Sequence, residues 1–161
     1  VQTCALPISD AEGRIVLADG LLAASQTKAP LIIDAATLTG AAVMATGGDY
    51  SALFALDNQT ADQAKKVAEQ VNEPIWQFPL ESWHQEKCPS EFADTANSRP
   101  KPGGGAGGAS NAAGFLSRFV ENEGAGWLHF DLAGAYNGNA TGLWAAGGTG
   151  LGIATIAQLI K

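Results

Sequence analysis

Residues 30–40 read Pro-Leu-Ile-Ile-Asp-Ala-Ala-Thr-Leu-Thr-Gly. The apolar residues Leu31, Ile32 and Ile33 are consecutive rather than alternating, the pattern of a strand covered on both faces. Residues 30–34 are therefore expected to form an inner strand of a layered α/β domain. The chain leaves that strand through small and hydroxyl-bearing residues, and a short helix is expected from there to Ala45, ahead of Gly47-Gly48. In open α/β sheets, ligands bind at such strand ends.

Upstream of this stretch a helix is expected from Gly13 to Ser25, with Val16 or Leu17, Leu21 and Ala24 on one face. Downstream, Tyr50–Leu56 reads as a second strand, and Asn58–Asn72 as a helix with its charges outside. The order strand, helix, strand, helix points to the α/β class, here a mixed β-sheet flanked by helices. Between Glu73 and Pro102 the prolines, two tryptophans and mixed polarity predict an irregular surface excursion, a kind of segment that often serves function or a partner. A glycine-rich loop, Gly103–Gly108, leads into a helix from Ser110 to about Glu121. Trp127–Asp131 reads as a strand, and Gly152–Lys161 as a helix with Ile153, Ile156, Ala157 and Ile160 on one side. No internal repeat is visible.

A length of 161 residues with 46% hydrophobic residues suits one domain with a real core. The net charge of -7 argues against unspecific nucleic-acid binding and against attraction to anionic membrane surfaces. No apolar run approaches the roughly twenty residues that span a bilayer. Cys4 and Cys88 fit neither a metal-binding spacing nor a disulfide framework, which suits a reducing compartment. Residues 1–8 share no periodicity with the rest and read like a translated adaptor; with Ser9 they are taken as a non-native leader.

The one cluster that looks like chemistry is Asp10-Ala11-Glu12-Gly13-Arg14. In an extended segment the side chains of Asp10, Glu12 and Arg14 share a face. A helix beginning there adds free N–H groups and a positive dipole end, both favourable to anions. Such a corner can hold a divalent cation together with an anion. The same residues also suit an ordinary helix start, with Asp10 as N-cap, Glu12 complementing the dipole and Arg14 facing solvent. His84 and His129 lie at no ligand spacing and read as structural. The Gly103–Gly108 loop lacks the Lys-Ser/Thr ending of a phosphate loop; close backbone packing explains its small residues equally well.

The segments Ser9–Asp19 and Asp34–Ala41, taken together, closely resemble the leucyl aminopeptidase family, whose signature Asn-Thr-Asp-Ala-Glu-Gly-Arg is followed by a helix and a strand ending in Ala-Thr-Leu-Thr-Gly. Ala112–Leu116, Phe119-Val120, Trp127–Asp131 and Gly148–Gly150 continue the likeness in the same order. The resemblance implies a cytoplasmic metallo-exopeptidase that removes N-terminal residues from peptides with two divalent ions, Mn2+ or Zn2+, and assembles as a homohexamer. It implies that Asp10 ligates metal, that Glu12 bridges the pair, and that Arg14 holds a bicarbonate serving as general base. Leu38 matches a position whose carbonyl receives the substrate amine, and Thr37 and Gly40 match positions around the first-residue pocket. The chain departs from the pattern at Ile8-Ser9, where the family has Asn-Thr, and at Ala154, where a basic residue is common. The family's remaining ligands, a Lys and two Asp, and its catalytic Lys come from segments upstream of this motif. Residues 10–161 are accordingly expected to be the C-terminal part of a metallo-aminopeptidase catalytic domain, inactive alone. The alternative is a non-catalytic binding module that uses Gly103–Gly108 for an anion or a partner chain.

Overall fold

The computed structural model describes residues 5–6, 11–101, 105–121, 124–142 and 145–161. Its centre is a four-stranded mixed sheet in the order β2 (Ile32–Ala36), β6 (Trp127–Asp131), β3 (Ser51–Phe54), β4 (Ile75–Gln77). β2 runs parallel to β6 and β3 parallel to β4, whereas β3 and β6 are antiparallel. Two short pairs lie outside this sheet: β1 (Ala5–Leu6) with β5 (Thr95–Ala96), and β7 (Tyr136–Asn137) with β8 (Gly147–Gly148).

Helices cover both faces, as the composition of the core shows. On one side Trp127 and Phe54 pack with Ala18 and Leu21 of α1 (Glu12–Gln26), Ala42 of α2 (Gly40–Thr46), and Ala113 and Phe115 of α4 (Gly108–Leu116). On the other, Leu53, Leu128 and Phe130 meet Ala61 and Ala64 of α3 (Asn58–Gln70) and Ile156 and Leu159 of α5 (Ile153–Leu159). Successive residues of β6 thus serve opposite cores, as the two-residue period of a strand requires. The mixed sheet flanked by helices is the architecture expected from the sequence. Among the described residues, no helix is long and apolar enough to cross a membrane.

Among the described residues, the strand expected as internal at residues 30–34 is paired on one edge. β2 begins at Ile32, two residues later, and among the described residues its one neighbour in the sheet is β6. The consecutive apolar residues reflect helices on both faces, since Ile32 packs into one core and Leu31 and Ile33 into the other. Cover on both faces and neighbours on both edges are separate properties, and apolar runs report only the first. Three helices also differ from expectation. On α1 the buried positions are Ala18, Leu21 and Ser25, with Val16 70% exposed, so Leu17 rather than Val16 belongs to the inner face. α4 ends at Leu116 and tightens into a 3-10 turn over Ser117–Phe119 instead of continuing to Glu121. On α5 Ile153 and Ile160 are exposed while Thr155 is buried, because the carboxylate of Glu73 accepts bonds from the Thr155 N–H at 2.8 Å, its hydroxyl at 2.6 Å and the Ala154 N–H at 3.1 Å. A polar anchor, not the isoleucine stripe, sets the roll of that helix.

The excursion between Glu73 and Pro102 is more ordered than its composition suggests. It contributes β4, a 3-10 helix over Ser82–Lys87 and β5. Gly114 of α4 lies against that 3-10 helix so closely that an added Cβ would stand 2.6 Å from the His84 Cβ.

Candidate active site

β2 and β6 are parallel, so their C-terminal ends emerge together, and the segment after β2 turns over the end of β6. Asp131, the last residue of β6, is 1% exposed. Its carboxylate accepts the backbone N–H of Leu38 at 2.9 Å, that of Thr39 at 3.1 Å and the Thr39 hydroxyl at 2.6 Å. The Thr39 oxygen in turn accepts the Ala42 N–H at 3.1 Å and so caps α2. A buried carboxylate is tolerable only when its lone pairs are taken up by donors, and here three converge on it.

The first turn of α1 faces the same segment. Ala11, Glu12, Gly13 and Arg14 line a cavity of about 340 Å³ together with Ala36, Thr37 and Leu38. The acid and the guanidinium reach it from a helix, not from an extended strand as the alternate spacing suggested, because Glu12 is already the first helical residue. Residues two apart on a helix do not share a face. They border one cavity because the helix end projects into it. Asp10 lies outside the described residues. The N-cap position of α1 is Ala11, which offers no side-chain acceptor to the first-turn N–H groups.

Arg14 is held from below. One terminal nitrogen donates to the Asn97 carbonyl at 2.9 Å, and the Asn97 amide donates back to the Ala11 carbonyl at 3.3 Å, so the end of the excursion grips both flanks of Glu12. The Arg14 Nε is buried and has no hydrogen-bond partner among the described residues. Burial pulls the Arg14 pKa below the ordinary arginine value, against the opposing influence of nearby Cys88 and Asp131. A guanidinium stays charged in a protein, so its desolvated donors favour an anion. The neighbouring Cys88 thiol is pushed up by burial, with Arg14, Arg118 and Arg99 pulling the other way.

A second cavity, of about 250 Å³, adjoins the first through Thr37 and is bordered by Gly40, Val43, Asp131, Ala133 and Tyr136. A Cβ added at Gly40 would meet nothing within 4 Å, so that glycine opens space there. The residues singled out in the sequence are thereby distributed over two adjoining hollows: Glu12, Arg14, Thr37 and Leu38 border one, and Thr37 and Gly40 the other. A larger apolar hollow of about 450 Å³, bordered by Tyr50, Trp76 and Phe78, brings no charged group to its wall.

Sequence reasoning passed over Asp131 and Asn97, whose importance lies in partners 83 or more residues away. It also read His129 as structural, with no ligand spacing to another His, Cys or acid. His129 faces Asp34 across the β2–β6 pairing, with Nδ1 2.5 Å from the carboxylate, and the Trp127 indole N–H donates to the other oxygen at 2.8 Å. The His129 ring is stacked between Phe54 and Trp127, and its Nε2 has no partner among the described residues. The glycine-rich loop falls partly outside the described residues. Within them, Gly108 packs against Ala41, an added Cβ standing 3.1 Å from the Ala41 Cβ, and Arg99 and Asn111 both donate to the Ala106 carbonyl. Close packing accounts for that described part.

Comparison with known proteins gives a consistent result. The cytosol aminopeptidase family, catalytic domain, matches residues 2–157. Peptidase B of Cronobacter sakazakii is 52% identical over 154 residues, and peptidase B of Pectobacterium carotovorum 50% identical over 152; each comparison covers 94% of this chain. The chain spans 35% and 34% of the length of those two relatives. Among solved structures, cytosol aminopeptidase from Coxiella burnetii superposes with a TM-score of 0.86 at 34% identity, covering 97% of this chain and 33% of that one. A tomato leucine aminopeptidase mutant superposes at 0.82 with 35% identity, covering 94% of this chain and 28% of that one.

Proposed function

From a chain that belongs to the cytosol aminopeptidase family, we propose an activity: residues 10–161 supply the anion-holding and substrate-aligning wall of a dinuclear-metal exopeptidase that releases the N-terminal residue of peptides. The observation that carries the reading is the shared cavity of Glu12, Arg14, Thr37 and Leu38, with the buried Nε of Arg14 lacking a hydrogen-bond partner among the described residues.

The groups present fit the implied cofactors unequally. Arg14 suits a planar anion such as bicarbonate, because its fork donates two parallel hydrogen bonds. For metals, no cluster of three or more His, Cys, Asp or Glu occurs among the described residues. Glu12, with Asp10 two positions before it, is the carboxylate source this segment offers to a pair of Mn2+ or Zn2+ ions. Those ions, when bound, polarise the scissile carbonyl and lower the pKa of a water between them. Two carboxylates are fewer than such a pair requires, which is consistent with a chain about a third as long as its relatives and with low metal affinity on its own.

The remaining roles belong to this chain's own atoms. Arg14 keeps the anion beside Glu12, where it can accept a proton from the attacking water. The Leu38 carbonyl accepts a hydrogen bond from the free amine of the substrate, which restricts cleavage to chain ends. The adjoining hollow, bordered by Thr37, Gly40, Val43 and Tyr136, takes the first side chain. A homohexameric assembly and a cytoplasmic location belong to the same proposal.

The test is release of the first residue from Leu- and Glu-peptide amides by the intact protein supplied with Mn2+ or Zn2+. Metal-dependent release is expected, and Arg14→Met should lower kcat by about a hundredfold, the lower end of what proton transfer by a positioned base contributes. Absence of metal-dependent release from either substrate would defeat the proposal.

A further inference from the structure

We propose that Asp131 is a positioning residue that aims the Leu38 carbonyl at the substrate amine; the proposal rests on the reading of the site just given. Leu38 and Thr39 lie between the end of β2 and the start of α2, a span with no ladder partner of its own. What orients its peptide planes is the pair of N–H bonds to a single carboxylate oxygen, Oδ1 of Asp131. The other oxygen takes the Thr39 hydroxyl, whose oxygen simultaneously starts α2 by accepting from Ala42.

One buried carboxylate therefore fixes three things together: the amide planes around Leu38, the first turn of α2 that carries Gly40, and the wall of the second hollow, which Asp131 itself borders. It also bears electrostatically on Arg14, so the two hollows share one negative anchor. Because β6 is hydrogen-bonded on both sides, the anchor stands on a rigid element. The Leu38 carbonyl is consequently preorganised, with its orientation settled before any substrate arrives.

Asp131→Asn keeps the shape of the side chain and one carbonyl acceptor but removes the charge. In the intact, metal-loaded protein, inhibition by leucinol and by its des-amino analogue 4-methylpentan-1-ol separates amine recognition from general damage. The variant is expected to weaken leucinol about tenfold, the scale of one hydrogen bond to a charged group, while 4-methylpentan-1-ol changes less than about twofold. Thr39→Val should reproduce part of the loss and Thr39→Ser should restore it, which keeps the question open to test if Asp131→Asn does not fold. Equal weakening of both inhibitors, or no weakening of leucinol, overturns the assignment to Asp131 and leaves the exopeptidase reading standing. An unmodified protein that releases no first residue removes that reading, and this proposal with it.

Discussion

Replacing Asp34 with alanine provides the sharpest test of how this fold is held together near the site. The carboxylate sits on the inner face of β2 with a side-chain exposure of 9%, and it is the acceptor for two buried donors, His129 Nδ1 and Trp127 Nε1. The indole N–H donates to one carboxylate oxygen at 2.8 Å, and the imidazole Nδ1 lies 2.5 Å from the other. Removing the acid strands both donors in an aromatic environment with Phe54 stacked on the imidazole. Each orphaned donor costs about 1–3 kcal/mol, so Asp34→Ala should destabilise by about 2–6 kcal/mol. His129→Phe keeps the stack but leaves the acid with one donor fewer. The double variant removes both partners, and its loss should fall short of the sum of the single losses by at least about 1 kcal/mol. Urea unfolding of the intact protein measures all three, with an unchanged m-value as the condition for comparing midpoints. A shift below about 1 kcal/mol for Asp34→Ala, or strict additivity in the double variant, would refute the claim that this pair is a coupled buried unit.

Gly114→Ala puts a methyl group 2.6 Å from the His84 Cβ and 2.7 Å from its backbone carbonyl, atoms that cannot swing aside. It should cost about 1–3 kcal/mol in urea melts, and an unchanged midpoint would contradict the close packing of α4 on the 3-10 helix. Gly40→Val adds side chain where a Cβ meets nothing within 4 Å, so the fold should tolerate it while the hollow proposed for the first residue narrows. The ratio of kcat/KM for leucine-first over alanine-first peptides should fall about tenfold, and an unchanged ratio would remove Gly40 from that hollow. At Glu73, burial alone raises the pKa, but the bonds from Thr155 and Ala154 outweigh it and hold the carboxyl below its ordinary value of 4.5. A depressed folded-state pKa contributes stability that is complete above that ordinary value and disappears as pH falls through the lower one. The unmodified protein should therefore lose melting temperature more steeply than Glu73→Gln below pH 4.5, and parallel curves would contradict the anchoring of α5 by Glu73.

Much of the fold could be read directly, because strong periodicities coincide with well-covered elements. The helices α1 and α3 and the strands β3 and β6 lie close to where apolar spacing put them. The departures share a cause: local pattern reports contact with a core but not which strand is next door or which distant polar group intervenes. Leu31–Ile33 looked internal because helices cover both faces of β2, although among the described residues the strand pairs on one edge, with β6. The isoleucines of α5 looked like a buried stripe, but Glu73, about eighty residues away, turns Thr155 inward. At the candidate site, Glu12 and Arg14 stood out through their spacing, although they project from a helix end and not from a strand. Asp131 and Asn97 carried no local signal, since an acid ending a strand and an asparagine in a loop acquire meaning only from the backbone groups folded against them.

The most direct test of the central claim compares two peptides of one sequence, one with a free N-terminus and one N-acetylated, incubated with the intact, metal-loaded protein and followed by mass spectrometry. Stepwise loss of residues is expected from the free peptide alone, with little loss from either peptide in Arg14→Met. Cleavage of the acetylated peptide at a comparable rate, or an Arg14→Met variant as active as the unmodified protein, would contradict that claim.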